Sequence, residues 1–184
     1  FSGSDDNNRF SDRTIEELVK ASYELARNKT GALIVIEKNS SLIEYEKSGI
    51  PVDALVSSQL LINIFEHNTP LHDGAVIMRG DRIVSATCYL PLSANMSLSK
   101  ELGTRHRAAV GVSEVTDSLT IIVSEETGRV SLAQDGKIIR NVDGGKLKSE
   151  LVKFQKLDPF AQETKRKWQR VKKHLFRNKQ DGDD

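Results

Sequence analysis

The sequence predicts an α/β fold: a single domain whose central sheet is mixed, with parallel and antiparallel strands, and is flanked by helices. Three observations predict it. The run Ala32-Leu33-Ile34-Val35-Ile36 is continuously apolar and rich in β-branched residues, the pattern of a strand buried on both faces. Gly80-Asp81, Thr127-Gly128 and Asp135-Gly136 punctuate later apolar runs as hairpin turns. Segments with apolar residues at helical spacing lie between the strands.

Taken in order, residues 1–10 are rich in Gly, Ser, Asp and Asn and read as a disordered lead-in. Ser11 or Asp12 can cap a helix carrying Ile15, Leu18, Val19 and Leu25 on one stripe, and Gly31 suits its end. After the 32–36 strand, Ser41-Leu42-Ile43-Glu44 has capping-box spacing and starts a short helix that ends by Gly49. A core helix is expected over 58–66. Strands are expected over 75–78 and 82–88, with a polar loop from Ser93 to Lys100. A helix over 104–112 precedes strands at 119–123, 129–132 and 137–140. An amphipathic helix over 147–157 closes the domain, with Pro159 beyond it.

Composition bounds the function. The chain has 184 residues, 38% of them apolar, enough for one well-buried domain. The formal net charge of +1 hides an asymmetry. Residues 161–184 carry eight Lys and Arg against four acids, whereas the first 160 carry 19 basic and 22 acidic side chains. The domain is therefore 11–159, mildly acidic, and 160–184 is a basic tail. A basic tail can meet nucleic acid or an anionic membrane. Trp168, Val171 and Leu175 give it a thin apolar stripe that an amphipathic helix could use, but the commoner explanation is a solvated, poorly ordered end, and that is the expectation here. The lone Cys88 excludes an internal disulfide and fits a reducing compartment. One Cys and four scattered His exclude a structural zinc site of the usual spacing. No apolar run is long enough to span a bilayer. The chain starts with Phe1 rather than Met and is read as a fragment, which leaves room for an N-terminal anchor outside it.

Three constellations carry chemistry. In Leu71-His72-Asp73-Gly74-Ala75, Gly74 lets a ligand approach the backbone closely, while Asp73 and His72 can bind a divalent metal or move a proton. The bland alternative is that Asp-Gly is a common turn dipeptide. In Gly103-Thr104-Arg105-His106-Arg107, Thr104 is a credible N-cap, and a helix start flanked by arginines is an anion site. Two arginines there oppose the helix dipole unless an anion sits nearby. Residues two apart on a regular helix do not face each other, so Arg105 and Arg107 contact different phosphates or the first lies on an irregular turn. Ser124-Glu125-Glu126-Thr127-Gly128 leaves the end of a buried strand, where ligands gather in α/β sheets, or is simply a solvated turn. Tyr89-Leu90-Pro91 can edge a base, or pack in the core. A Walker loop, a Gly-x-Gly-x-x-Gly fingerprint and His-Glu-x-x-His are all absent, so any nucleotide is held by another device.

These motifs, together with Thr30-Gly31-Ala32-Leu33-Ile34-Val35-Ile36-Glu37 and Ser57-Ser58-Gln59-Leu60-Leu61, resemble the bacterial diadenylate cyclase domain, most nearly its membrane-anchored type. The resemblance spans about residues 12–157, shows no departure in the two signature motifs, and gives the tail nothing.

It implies condensation of two ATP into cyclic di-AMP and two pyrophosphates, with Mn²⁺, Mg²⁺ or Co²⁺, across a homodimer of facing domains. It further implies a place on the cytoplasmic side of the bacterial membrane, with no nucleic-acid partner. Carried over by position, Asp73 activates the ribose hydroxyl, and His72, Asp73 and Glu126 are the metal ligands. Gly74 and Ala75 bring backbone to the nucleotide, Tyr89 and Leu90 line the adenine pocket, and Thr104 lies near the ribose. Arg105, His106 and Arg107 hold the phosphates, assisted by Ser124. An ordinary carboxylate is a weak base towards a hydroxyl, so metal activation is preferred over free general-base action. The rival readings are a non-catalytic adenine-nucleotide sensor and a nucleic-acid module built on the tail.

Overall fold

Seven strands form one sheet in the order β2-β4-β3-β1-β5-β6-β7. The computed structural model describes residues 7–180, with side chains to residue 173 apart from those at 161 and 165. The elements run α1 (Asp12–Arg27), β1 (Ala32–Ile36), α2 (Ile43–Glu46), β2 (Ile50–Leu55), α3 (Ser58–Phe65), β3 (Ala75–Arg79) and β4 (Arg82–Cys88). They continue with α4 (Thr104–Val115), β5 (Leu119–Val123), β6 (Val130–Gln134), β7 (Lys137–Ile139), α5 (Gly144–Gln155) and α6 (Pro159–Gln180). β1 and β3 are parallel and every other pairing is antiparallel, so the predicted mixed sheet is present.

The continuous apolar run of β1 has a simple cause: alternate residues serve two cores. Ala32, Ile34 and Ile36 face α1, α3 and α5, packing with Leu18, Leu61, Phe65, Leu147 and Leu151. Leu33 and Val35 face α4 and pack with Ala108, Ala109 and Val112. Both layers are built of buried apolar side chains, so truncating a fully buried residue such as Leu61 to Ala costs about 2–5 kcal/mol. Polar hubs fasten the end of the sheet where β1 finishes. Asp81 Oδ1 accepts from Ser11 N–H (2.8 Å), Ser11 Oγ (3.1 Å) and Thr14 Oγ1 (2.6 Å), locking the start of α1 to the β3–β4 turn. Arg79 bonds both Glu37 and Glu46.

Three expectations need correction. The lead-in is shorter than 1–10: Asn8 pairs with Lys156, and Phe10 is buried in the main core, because Arg9 N–H bonds Gln155 O at 2.7 Å. Residues 1–6 lie outside the described residues. β2 is not expected from the sequence; it is an edge strand carrying Pro51, where a missing N–H is tolerated. The tail continues directly as α6 rather than as an unstructured end. Among the described residues, no helix is long and apolar enough to cross a membrane.

Candidate active site

The topology gathers the three constellations at one end of the sheet. β1 and β3 begin there and the antiparallel β4 and β5 finish there, with Ala32 opposite Val123 and Ala75 opposite Cys88. α4 begins against the same edge. A cleft of about 820 Å³ opens between them, lined among others by Asp73, Gly74, Tyr89, Arg105, His106 and Glu126.

Gly74 is required on two grounds. Its φ of +82° lies in the left-handed region, and a Cβ there would stand 2.8 Å from Cys88 O and 2.9 Å from the Thr87 carbonyl carbon. Thr87 itself has φ +53°, and the β3–β4 register shifts between Ala75 and Ile77. This irregularity at the mouth of the hairpin turns Asp73 outward; its side chain is 87% exposed. Ala75 is fully buried in β3 and does not line the cleft.

His72 is held by its neighbour in the turn. Its Nδ1 lies 2.6 Å from Thr69 O, a group that only accepts, so Nδ1 donates there and Nε2 is the ring nitrogen turned towards the cleft. That Nε2 stands 3.3 Å from Asp73 Oδ1. Two atoms that can each ligate a metal stand here at a spacing a shared cation would accept, since ligand atoms about 2.1 Å from one metal in cis lie about 3 Å apart. Glu126 lines the same cleft, but among the described residues no three His, Cys, Asp or Glu side chains come together as a complete metal site. The residues fit two protein ligands, with remaining positions left to substrate oxygens and water, the usual pattern for Mg²⁺-like ions.

At α4 the N-cap is Gly103, not Thr104, and no side chain caps it. Gly103 keeps extended backbone while Thr104 already joins the helix, so the first-turn N–H groups stay available to an anion. The Arg105 guanidinium lies flat against Gly31, where a Cβ would be 2.5 Å from Cζ, and its Nη1 pairs with Glu125 Oε1 at 3.2 Å. Arg105 also borders a second cavity of about 530 Å³ on the Gly31 side, which shares His67, His72 and Glu125 with the cleft. His106 is half-buried. Burial, then the charges of Arg140 and Arg105, hold its imidazole below the ordinary value against the opposing pull of Glu126. It is thus a neutral hydrogen-bonding group at neutral pH.

Arg107 does not line the cleft. It lies two residues from Arg105 on a regular helix, and its carbonyl accepts from Ser93 N–H at 3.0 Å, fastening the 89–93 segment over α4. Tyr89 stands at the rim, 76% exposed, with Leu90 beneath it. Ser124 Oγ accepts from Glu126 and Thr127 N–H, which leaves its hydroxyl proton free to donate into the cleft. Sequence reasoning missed the Arg105–Glu125 pair and the contribution of Gly31 and His67. Gly31 reads as a helix stop and His67 as one of four scattered histidines, and only the fold places them beside Arg105.

The model of the family described as DisA bacterial checkpoint controller nucleotide-binding matches residues 19–138. The chain belongs to that family. It is 58% identical over 139 residues to cyclic di-AMP synthase CdaA of Bacillus subtilis, covering 76% of this chain and 51% of the relative. It is 55% identical over 139 residues to a diadenylate cyclase of Listeria monocytogenes, with the same coverage. The fold matches the crystal structure of a DacA double mutant from Staphylococcus aureus with a TM-score of 0.76 and 48% identity, covering 77% of this chain and 94% of that one. The chain spans about half the length of the curated relatives it matches.

Proposed function

We propose that this domain is the catalytic part of a diadenylate cyclase, joining two ATP molecules into cyclic di-AMP with release of two pyrophosphates. The observation that carries it is the asymmetry of the cleft. One wall, the uncapped α4 start with Arg105, Ser124 and neutral His106, suits phosphates; the other, His72 and the outward Asp73, suits activation of a hydroxyl. Relatives at 55–58% identity bear the names diadenylate cyclase and cyclic di-AMP synthase.

One cleft holds one set of these groups, so two domains must face each other for each nucleotide to be both attacker and target. The 3′-oxygen of one ribose attacks the α-phosphorus of the opposite ATP, forming the ester bond as the bond to pyrophosphate breaks. The hydroxyl proton departs on the Asp73 side, and charge on the leaving pyrophosphate falls on Arg105 and the α4 amides. His72 Nε2 and Asp73 Oδ1 would hold a divalent ion, with Glu126 lining the same cleft but not gathered with them. Bound Mn²⁺, Mg²⁺ or Co²⁺ would supply Lewis-acid chemistry, acidifying the hydroxyl and neutralising phosphate charge. Gly74 brings backbone to the nucleotide with buried Ala75 behind it, Tyr89 and Leu90 edge the base, and Thr104 lies towards the ribose. Arg107 acts by supporting the 89–93 segment.

The test is Asp73→Asn. The exposed side chain makes no buried contact, so the variant should keep its melting temperature and ATP binding while losing at least about a hundredfold in turnover. Near-normal turnover would sink the assignment. ATP binding without pyrophosphate release in the unmodified protein would favour the sensor reading instead.

A further inference from the structure

We infer that α6 is a membrane-surface helix, its basic face drawn to anionic lipid headgroups and its apolar stripe laid into the interface. The sequence of α6 holds eight Lys and Arg against the single acid Glu163, an excess that complements a negative bilayer. Its pattern is two-sided. Phe160, Thr164, Trp168 and Val171 fall within roughly 80° of arc at helical spacing, while Arg166, Arg170 and Lys173 take the opposite side. Lys167 and Lys172 flank the stripe, where long side chains reach headgroups.

The apolar stripe is not used by the domain. Phe160 is 80% exposed, Trp168 64% and Val171 50%, and every described side chain from Glu163 to Lys173 is exposed. A strongly basic helix with few apolar residues, Trp and Phe among them on one side, has the composition of an interfacial helix rather than of a core or spanning one.

The root of α6 gives this surface a direction. Asp158, the residue before the helix, accepts from Asn39 Nδ2 at 3.1 Å and lies 3.8 Å from Arg9 Nη2. Asn39 follows the end of β1, and Arg9 O lies against Gly80 in the β3–β4 turn. α6 therefore departs from the end of the sheet opposite the cleft.

Trp168 is the only tryptophan in the chain, so the helix carries its own reporter. The full chain is titrated with vesicles of phosphatidylglycerol and phosphatidylcholine in equal parts, and with phosphatidylcholine alone. Tryptophan emission and co-sedimentation are followed at low and high salt. The inference predicts a blue shift and sedimentation with the anionic vesicles only, weakened by salt. The variant Arg166→Ala/Arg170→Ala/Lys173→Ala should partition on the order of a hundredfold more weakly. Trp168→Ala should sediment less, and both variants should keep the far-ultraviolet helix signal and the activity of the cleft. Equal partitioning into both vesicle types, or none, overturns the inference. So does tighter binding to a duplex DNA oligonucleotide than to anionic vesicles at matched salt, which would assign the helix to nucleic acid. A blue shift that grows with protein concentration without lipid overturns it in favour of self-association.

Discussion

Replacing Gly31 by Ala tests the arginine at the centre of the cleft without touching it. The added methyl would stand 2.5 Å from Arg105 Cζ, 2.6 Å from Nη1 and 2.8 Å from Nη2, and these are its three nearest atoms. They are the far end of a flexible side chain, so the guanidinium swings away rather than the backbone shifting. Nη1 is the atom that pairs with Glu125, so that pair is broken. A partly exposed pair contributes about 0–1 kcal/mol, and Gly→Ala at an ordinary φ returns about 0.4–1 kcal/mol by restricting the unfolded chain. Net stability should change by less than about 1 kcal/mol, a melting shift within about 4 °C for a domain of this size. Catalysis should suffer far more. A charge-assisted hydrogen bond to the transferring phosphates contributes about 1.5–3 kcal/mol, so kcat/KM for cyclic di-AMP formation should fall about tenfold to a hundredfold. Combining Gly31→Ala with Arg105→Ala should add almost nothing to Arg105→Ala alone. Full activity in Gly31→Ala, or a loss that adds to that of Arg105→Ala, would refute the reasoning.

Gly74→Ala should behave oppositely, losing about 2–4 kcal/mol because the left-handed φ and rigid backbone contacts cannot be relieved, visible as a lower urea midpoint at unchanged m-value. His106, held below its ordinary value, binds its proton more weakly folded than unfolded. Its contribution to stability is therefore complete above about pH 6.5 and is lost as pH falls through the folded value; NMR titration of its ring protons should show no charging near neutrality. Tyr23, whose hydroxyl donates to Val142 O at 2.6 Å, is pushed up to about 12 by burial and then by Asp143. Its stabilisation is complete below about pH 10 and is lost as pH rises towards 12, so Tyr23→Phe should flatten the stability profile over that window in alkaline denaturant titrations.

The parts of the fold legible in the sequence are those where one local rule dominates. The β1 run, the Gly80-Asp81 turn and the Ser11 cap each state their structure within a few residues, and Ser11 does accept from Thr14 N–H. β2 is illegible because Gly49 and Pro51 signal a loop, and its pairing partner β4 lies some thirty residues away. Asp53, with φ +49°, interrupts its register and hides the alternation. The tail reads as unstructured because charge outweighs its thin apolar stripe. At the site, motif spacing places Asp73, Gly74, Arg105 and His106 in one cleft, where the structure also has them. It does not separate Arg105 from Arg107, whose different roles depend on which side of α4 meets the sheet. Nor does it show the Glu125 partner, since an ion pair between a helix start and a strand end exists only after folding.

The most direct test of the central claim is to incubate the protein with ATP and Mn²⁺ over a range of protein concentrations and quantify cyclic di-AMP by chromatography. The account predicts product whose rate per domain rises with concentration, because each half-site needs a facing partner. Saturable ATP binding with no product at any concentration would contradict it.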